Sequence, residues 1–219
     1  MEAVSYFQKL FSSESTPPYP GKHELSQFIS KHITPDRYME LDKEVSSEEI
    51  QTAFLSLHPN KAPGTDGFNA YFFRKTWHIL GEDVILAIKH FFSSGHLLKE
   101  LNATVITLIP KLKNSSSLHE YRPISCCGTI YKCISKVIAL MIKKVLPSLI
   151  DRAQAAFIPG RLISDNVLLA QELMRGYHRA DSPSRGAIKV DLKKAFDSVR
   201  WDFILDLLEG LHFPPHMIR

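Results

Sequence analysis

Three features of the sequence predict an α+β fold in which helices outnumber strands. Apolar residues recur at helical spacing through most segments. Only two stretches, Thr104 to Ile109 and Gly186 to Leu192, are β-branched or alternate. Prolines and glycines stand between these segments as breakers. With two such stretches set far apart, little sheet is in hand.

The elements follow in order. Ala3 to Phe11 reads as a short amphipathic helix, broken by the TPPYPG run from Thr16 to Gly21. The stretch from there to Asp42 is polar and without period, so residues 1–45 read as a partly irregular, loosely attached lead-in and 46–219 as the ordered domain. Ser46 and Glu49 have capping-box spacing, and Ile50, Ala53, Phe54 and Leu57 then give a helix one buried face. The loop Pro59 to Gly67 (PNKAPGTDG) stops it. Phe68 to Ile79 and Glu82 to Ser94 read as two helices separated by Gly81, with Gly95 as a C-cap. Thr104 to Ile109 is a strand, and Leu112 to Ser125 a polar loop. Ile130, Ile134, Val137, Met141 and Val145 share one face of a long helix that Pro147 ends. Ala153 to Arg161 is a loop. Asp165 caps a helix to about Tyr177, with Val167, Ala170 and Met174 inward. In the second strand Ile188, Val190 and Leu192 point one way and Ala187, Lys189 and Asp191 the other. A helix carrying Phe203, Ile204, Leu207, Leu208 and Leu211 follows, ended by Pro214 and Pro215.

Composition narrows the class. The chain has 219 residues, 44% hydrophobic and 23% charged, which is globular rather than disordered. A net charge of +4 is compatible with a nucleic-acid partner without demanding one. Cys126, Cys127 and Cys133 are odd in number and form no CxxC pair, so free thiols are expected rather than disulfides or a zinc site. The ten histidines lack HExxH spacing. The N-terminus does not read as a signal peptide, and no stretch approaches the ~20 apolar residues of a membrane span. A soluble, intracellular protein, in nucleus or cytoplasm, is the expectation.

The sharpest chemical feature is Ile188 to Val199 (IKVDLKKAFDSV). A carboxylate at the end of a half-buried strand, before a turn and a helix, is well placed to hold a hard cation. Phosphoryl transfer rests on positioning and charge neutralisation, which two divalent ions roughly 3.5–4 Å apart supply. Asp191 offers a carboxylate and Leu192 a main-chain oxygen. Taken alone, a strand-end aspartate such as Asp191 is more often a turn residue or helix cap than a metal ligand, Phe196 reads as core, and Lys111 and Arg122 read as solvated charges.

Five blocks in order change that balance: NKAPGTDGF from Asn60, NATVITLIPK from Asn102, YRPIS from Tyr121, QAAFIPGRLISDN from Gln154 and KVDLKKAFDSV from Lys189. Together, over about residues 47–210, they resemble the reverse transcriptase domain of LINE-type, non-LTR retrotransposons, most closely those of plants. A group II intron maturase shares the style of KAPGTDG, but YRPISCCGTIYK and the IPGR block fit the retrotransposon better.

The resemblance implies helix-rich fingers plus part of the palm of a right-hand polymerase, with an incomplete antiparallel sheet. It implies that Asp191 is the first catalytic, metal-binding aspartate, with the Leu192 oxygen beside it, and that magnesium or manganese is the cofactor. Phe196 matches the bulky gate that favours deoxynucleotides. Lys111 and Arg122 match the grips on the incoming triphosphate. Arg161 stands where the family approaches template or nucleotide, and Lys61 is a candidate for the template backbone. Asp66 and Asp197 read as capping residues. The implied partners are an RNA template, a DNA primer and deoxynucleoside triphosphates. The match stops before an [FY]xDD block, which these 219 residues do not contain. The expectation is a fragment in which one carboxylate cannot complete a two-ion clamp, so that the chain does not polymerise by itself, and in which the edge of the Asp191 strand is open to association. A non-catalytic RNA-binding remnant and a functionless relic are the alternatives.

Overall fold

A computed structural model describes residues 2–11, 19, 21–175, 177, 186–191 and 199–218. Among these the chain is helix-rich with one small sheet. The elements are α1 (Glu2–Phe11), α2 (Lys22–Ser26), α3 (Pro35–Leu41), α4 (Ser47–Leu55), α5 (Ala70–Lys75) and α6 (Trp77–Ser94). Then come β1 (Thr104–Pro110), β2 (Tyr121–Cys127), α7 (Thr129–Lys143), α8 (Leu146–Leu149), α9 (Ile163–Met174), α10 (Trp201–Gly210) and α11 (Pro215–Ile218).

The main core is a four-helix cluster. Ile50, Ala53 and Phe54 of α4 meet Phe73 of α5, Val84 and Ile88 of α6, and Cys133, Ile134 and Val137 of α7. Start and stop signals frame it. Ser46 Oγ accepts from the Glu49 N–H at 3.1 Å while the Glu49 carboxylate accepts from the Ser46 N–H at 3.0 Å, the reciprocal box expected. At the other end of α4, Arg74 donates to the carbonyls of Leu55 and Leu57, satisfying acceptors the helix leaves open. Cys133 is a core residue: burial pushes its thiol up to about 12 and so keeps it protonated.

Several sequence expectations are corrected. The helix break falls at Thr76, not Gly81. Gly81 lies inside α6 because the Trp77 indole, one turn earlier, covers it; a Cβ there would sit 2.9 Å from Trp77 Cε2. Tyr121–Cys127, read as part of a polar loop, is strand β2, antiparallel to β1 with Thr104 opposite Cys127 and Pro110 opposite Tyr121. Pro123 disguised it, but both strands are sheet edges, where proline is tolerated. Residues 186–191 form no strand: among the described residues no partner pairs with them, and Ile188 is 91% and Val190 77% exposed. In α9 the residues expected inward are instead exposed, Val167 and Met174 among them. Pro215 begins α11, the position where proline's missing N–H costs a helix nothing.

The polar stretch to Asp42 is more ordered than its composition suggested. Besides carrying α2 and α3, it supplies Ile33 and Leu41 to a second core with Val145, Leu149 and Phe213. The Ile33 N–H donates to Leu211 O at 3.0 Å, and Lys22 pairs with Glu209 at 2.5 Å. No helix among the described residues is long and apolar enough to cross a membrane.

Candidate functional site

The loop from His58 to Gly67 folds against the start of α7. Asp66 accepts from the Phe68 N–H at 3.1 Å, an Asx turn that makes this residue structural, as its sequence context suggested. Thr129, buried at the first position of α7, donates to Phe68 O at 2.7 Å, and Lys132 Nζ donates to Ala62 O at 2.6 Å. Gly64 lies so close to the turn before α7 that a Cβ on it would be 2.5 Å from Gly128 N.

This close approach shapes a cavity of about 420 Å³. Lys61, Lys132, Lys136 and His58 line it together with Ser125, Tyr131 and Ser135, and no carboxylate does. Ammonium and hydroxyl donors gathered without a compensating acid suit a phosphate-bearing ligand. The sequence reading singled out Lys61 but missed Lys132 and Lys136. Their spacing of four on α7, which places both on one helix face, was the available signal.

Ser125 and Cys127 reach this cavity from β2, the strand that carries Arg122. Arg122 is exposed and pairs in register with Ile109. Lys111 follows β1 directly; its N–H donates to Glu120 O at 2.8 Å and its ammonium to His119 O at 2.7 Å. By strand alternation Ile109, Lys111 and Arg122 share one face of the hairpin. The structure thus places the two basic residues on one two-stranded projection.

The hairpin tip is held by Glu120, whose carboxylate accepts from the Ser116 N–H at 2.7 Å and the Ser117 N–H at 3.3 Å. These amide donors hold its carboxyl below the usual 4.5. A depressed carboxyl stabilises the folded tip above that value and loses the contribution as pH falls through the lower, folded one. The Ser116 and Ser117 amide resonances are therefore expected to titrate together with a midpoint below 4.5, and Glu120→Gln to abolish the transition. A midpoint at or above the usual value would show that the tip is not held this way.

Arg161 occupies a different setting. Its guanidinium donates to the main-chain oxygens of Pro147, Ile150, Asp151 and Gln154, within its own loop and the end of α8.

Asp191 is exposed at the end of the unpaired 186–191 segment. Among the described residues no hydrogen bond or ion pair joins it to Lys111 or Arg122. Leu192 and Phe196 lie outside the described residues. Among the described residues no group of three potential metal ligands forms.

The pattern of the reverse transcriptase (RNA-dependent DNA polymerase) family matches residues 109–219, just over half the chain, from the end of β1 through α11. The chain belongs to the reverse transcriptase family. It is also 31% identical over 216 residues to the transposon TX1 uncharacterized 149 kDa protein of Xenopus laevis, covering 99% of this chain and 16% of that protein. Over 167 residues it is 26% identical to the retrovirus-related Pol polyprotein from type-1 retrotransposable element R2 of Popillia japonica, covering 76% of this chain and 22% of the relative. This reverse transcriptase chain therefore spans less than a quarter of either relative. The similarity to the TX1 protein takes in the 58–67 loop as well, which lies before the family match begins.

Proposed function

We propose that this chain is the fingers and the start of the palm of an RNA-directed DNA polymerase of the LINE type, whose whole protein adds deoxynucleotides to a DNA 3′ end on an RNA template. The observation that carries the reading is the juxtaposition, inside a reverse transcriptase domain, of a carboxylate-free basic cavity with the hairpin bearing Lys111 and Arg122. In this reading Lys61, Lys132 and Lys136 neutralise the phosphates of a single strand, Lys111 and Arg122 grip the triphosphate, and Phe196 excludes a ribose 2′-hydroxyl. Asp191, with the Leu192 carbonyl, is the start of a site for magnesium or manganese. Such ions, when bound, neutralise charge on the transferred phosphoryl group. In this reading the chain's own residues bind and orient the strand and the triphosphate.

The test is single-stranded RNA binding by the 219-residue chain as a function of salt. On a single strand, every phosphate that the protein neutralises adds about 0.7 to the slope of log K against log salt. The double variant Lys61→Glu, Lys136→Glu is expected to weaken affinity at least about tenfold and to flatten the slope by about 1.4. An unchanged slope would remove the cavity from the nucleic-acid surface. Lys111→Glu separates this reading from that of a non-catalytic RNA-binding remnant: triphosphate binding falls under the first and stays absent under the second.

A further inference from the structure

The two edges of the β1–β2 hairpin are in different states. The Lys111 N–H donates to Glu120 O at 2.8 Å, one step past the Pro110–Tyr121 pair in the same register. Opposed residues of an antiparallel pair alternate between bonded and non-bonded, so Leu108–Pro123 and Pro110–Tyr121 are non-bonded pairs whose main-chain groups point away from the partner strand. Both prolines therefore sit where a missing N–H costs the hairpin nothing. The outward groups of β2 belong to Tyr121, Pro123, Ser125 and Cys127. Pro123 takes a donor from the middle of that edge, and Ser125 and Cys127 line the basic cavity. The outward groups of β1 belong to Thr104, Ile106 and Leu108. Among the described residues no strand pairs with them, and no main-chain hydrogen bond outside the hairpin uses them. From Thr104 to Ile109 the edge carries no charge, proline or bulge, the devices that keep such an edge to itself.

We propose that β1 is a self-pairing edge, to which a second copy of this chain adds its own β1 antiparallel about a two-fold axis at Ile106. In that register Ile106 opposes Ile106 and each copy's Thr104 opposes the other's Leu108, so every outward N–H and C=O of the edge finds a partner. Val105 comes opposite Thr107 of the other copy, and the exposed side chains of Val105 and Ile106 gain cross-strand neighbours. Charge selects this direction. Lys99 and Glu100, exposed just before β1, cancel, whereas Lys111 and Lys113, exposed just after it, do not. Antiparallel addition keeps the two basic ends apart and brings each to the Glu100 end of the other copy; parallel addition would set Lys111 beside Lys111 and Lys113 beside Lys113. Pro123 makes the assembly finite. A strand adding at β2 would need the N–H that proline lacks, so the hairpin grows on one side only, and a two-fold contact of this kind closes at two copies. Two seven-residue strands cover less than the ~1,200 Å² at which standard interfaces begin, so the dimer is weak and depends on concentration.

The experiment is sedimentation velocity of the 219-residue chain over rising concentration. The wild type is expected to pass from monomer to dimer and no further. Ile106→Pro removes the N–H on the axis but no bond of the hairpin, as Pro123 does on β2, and should weaken the dimer at least about tenfold. Should that variant lose its helical circular dichroism, Ile106→Lys replaces it: two ammonium groups then meet on the axis, at a position already exposed, with a loss of about the same size. Pro123→Val opens the second edge and is expected to turn the dimer into longer oligomers. A wild-type chain that stays monomeric up to its solubility limit overturns the proposal. A dimer that the folded Ile106 variant leaves as tight as before overturns it too, because the contact then lies elsewhere. A Pro123→Val chain that stops at the dimer removes Pro123 from its role as the stop.

Discussion

Phe54→Ala is expected to destabilise the chain by about 3–5 kcal/mol, the range for emptying a fully buried aromatic site. Phe54 is completely enclosed, with ring centroids 5.5 Å from Phe73 and 5.0 Å from Trp77. Its neighbours come from every side of the cluster: α5 and α6 supply the two rings, and α7 closes the far side with Cys133 and Ile134. Trp77 is also wedged against Gly81, so it cannot swing into the space a missing ring leaves. The cavity therefore stays largely open and the upper part of the range applies. For a chain of this size a loss of that order lowers Tm by roughly 10 °C. Calorimetry decides the matter; a fall of less than about 3 °C would mean that the four-helix cluster is not the dominant core.

Gly64→Ala should have the next largest effect, and it reaches function as well as stability. The added Cβ would meet Gly128 N at 2.5 Å, Gly128 Cα at 2.6 Å and the Cys127 carbonyl carbon at 2.9 Å. All three are backbone atoms, so no rotamer change relieves the clash and one loop must move. A cost of about 1–3 kcal/mol follows from overpacking of this kind. The loop that moves carries Lys61 and takes the Lys132 ammonium on Ala62 O, so the basic cavity loses its shape and RNA affinity falls with it. Gly186→Ala is the control, since a Cβ there meets nothing within 4 Å. Equal melting temperatures for the two variants would contradict the close approach.

What the sequence made legible, and what it did not, follows from the range of the forces involved. Local signals read well. The Ser46 and Glu49 box, the αL Gly95 after α6 and the Asp66 turn are decided within a few residues, and each is found in the structure. Signals that depend on a partner read poorly. The alternation of 186–192 marks residues suited to a sheet, yet a strand exists only when another edge pairs with it, and among the described residues 186–191 have none. The apolar spacing of α9 names a face that would be buried but not what would bury it, and Leu168, Leu169 and Leu173 stay exposed. Arg161 and Lys132 show the same limit in the candidate site. A basic residue in a motif advertises charge, whereas its hydrogen bonds to carbonyls depend on where the backbone returns. Family resemblance reached further than periodicity because it summarises the whole folded protein, and the reverse transcriptase assignment rests on it.

The joining of Ile33 and Leu41 to Phe213 has a consequence for biosynthesis. The buried members of the Phe54 cluster lie between residues 50 and 137 and the residues packed on them between 45 and 141, so it can condense while the ribosome is still adding α8 and α9. The second core, which holds Ile33 and Leu41, is completed only when Phe213, far downstream beyond α10, joins Val145 and Leu149. Closing so long a loop is slow, and the waiting surface is exposed to chaperones and proteases in the interval. A ribosome stalled before α10 would therefore carry a nascent chain with a finished centre and an unsealed N-terminal flank.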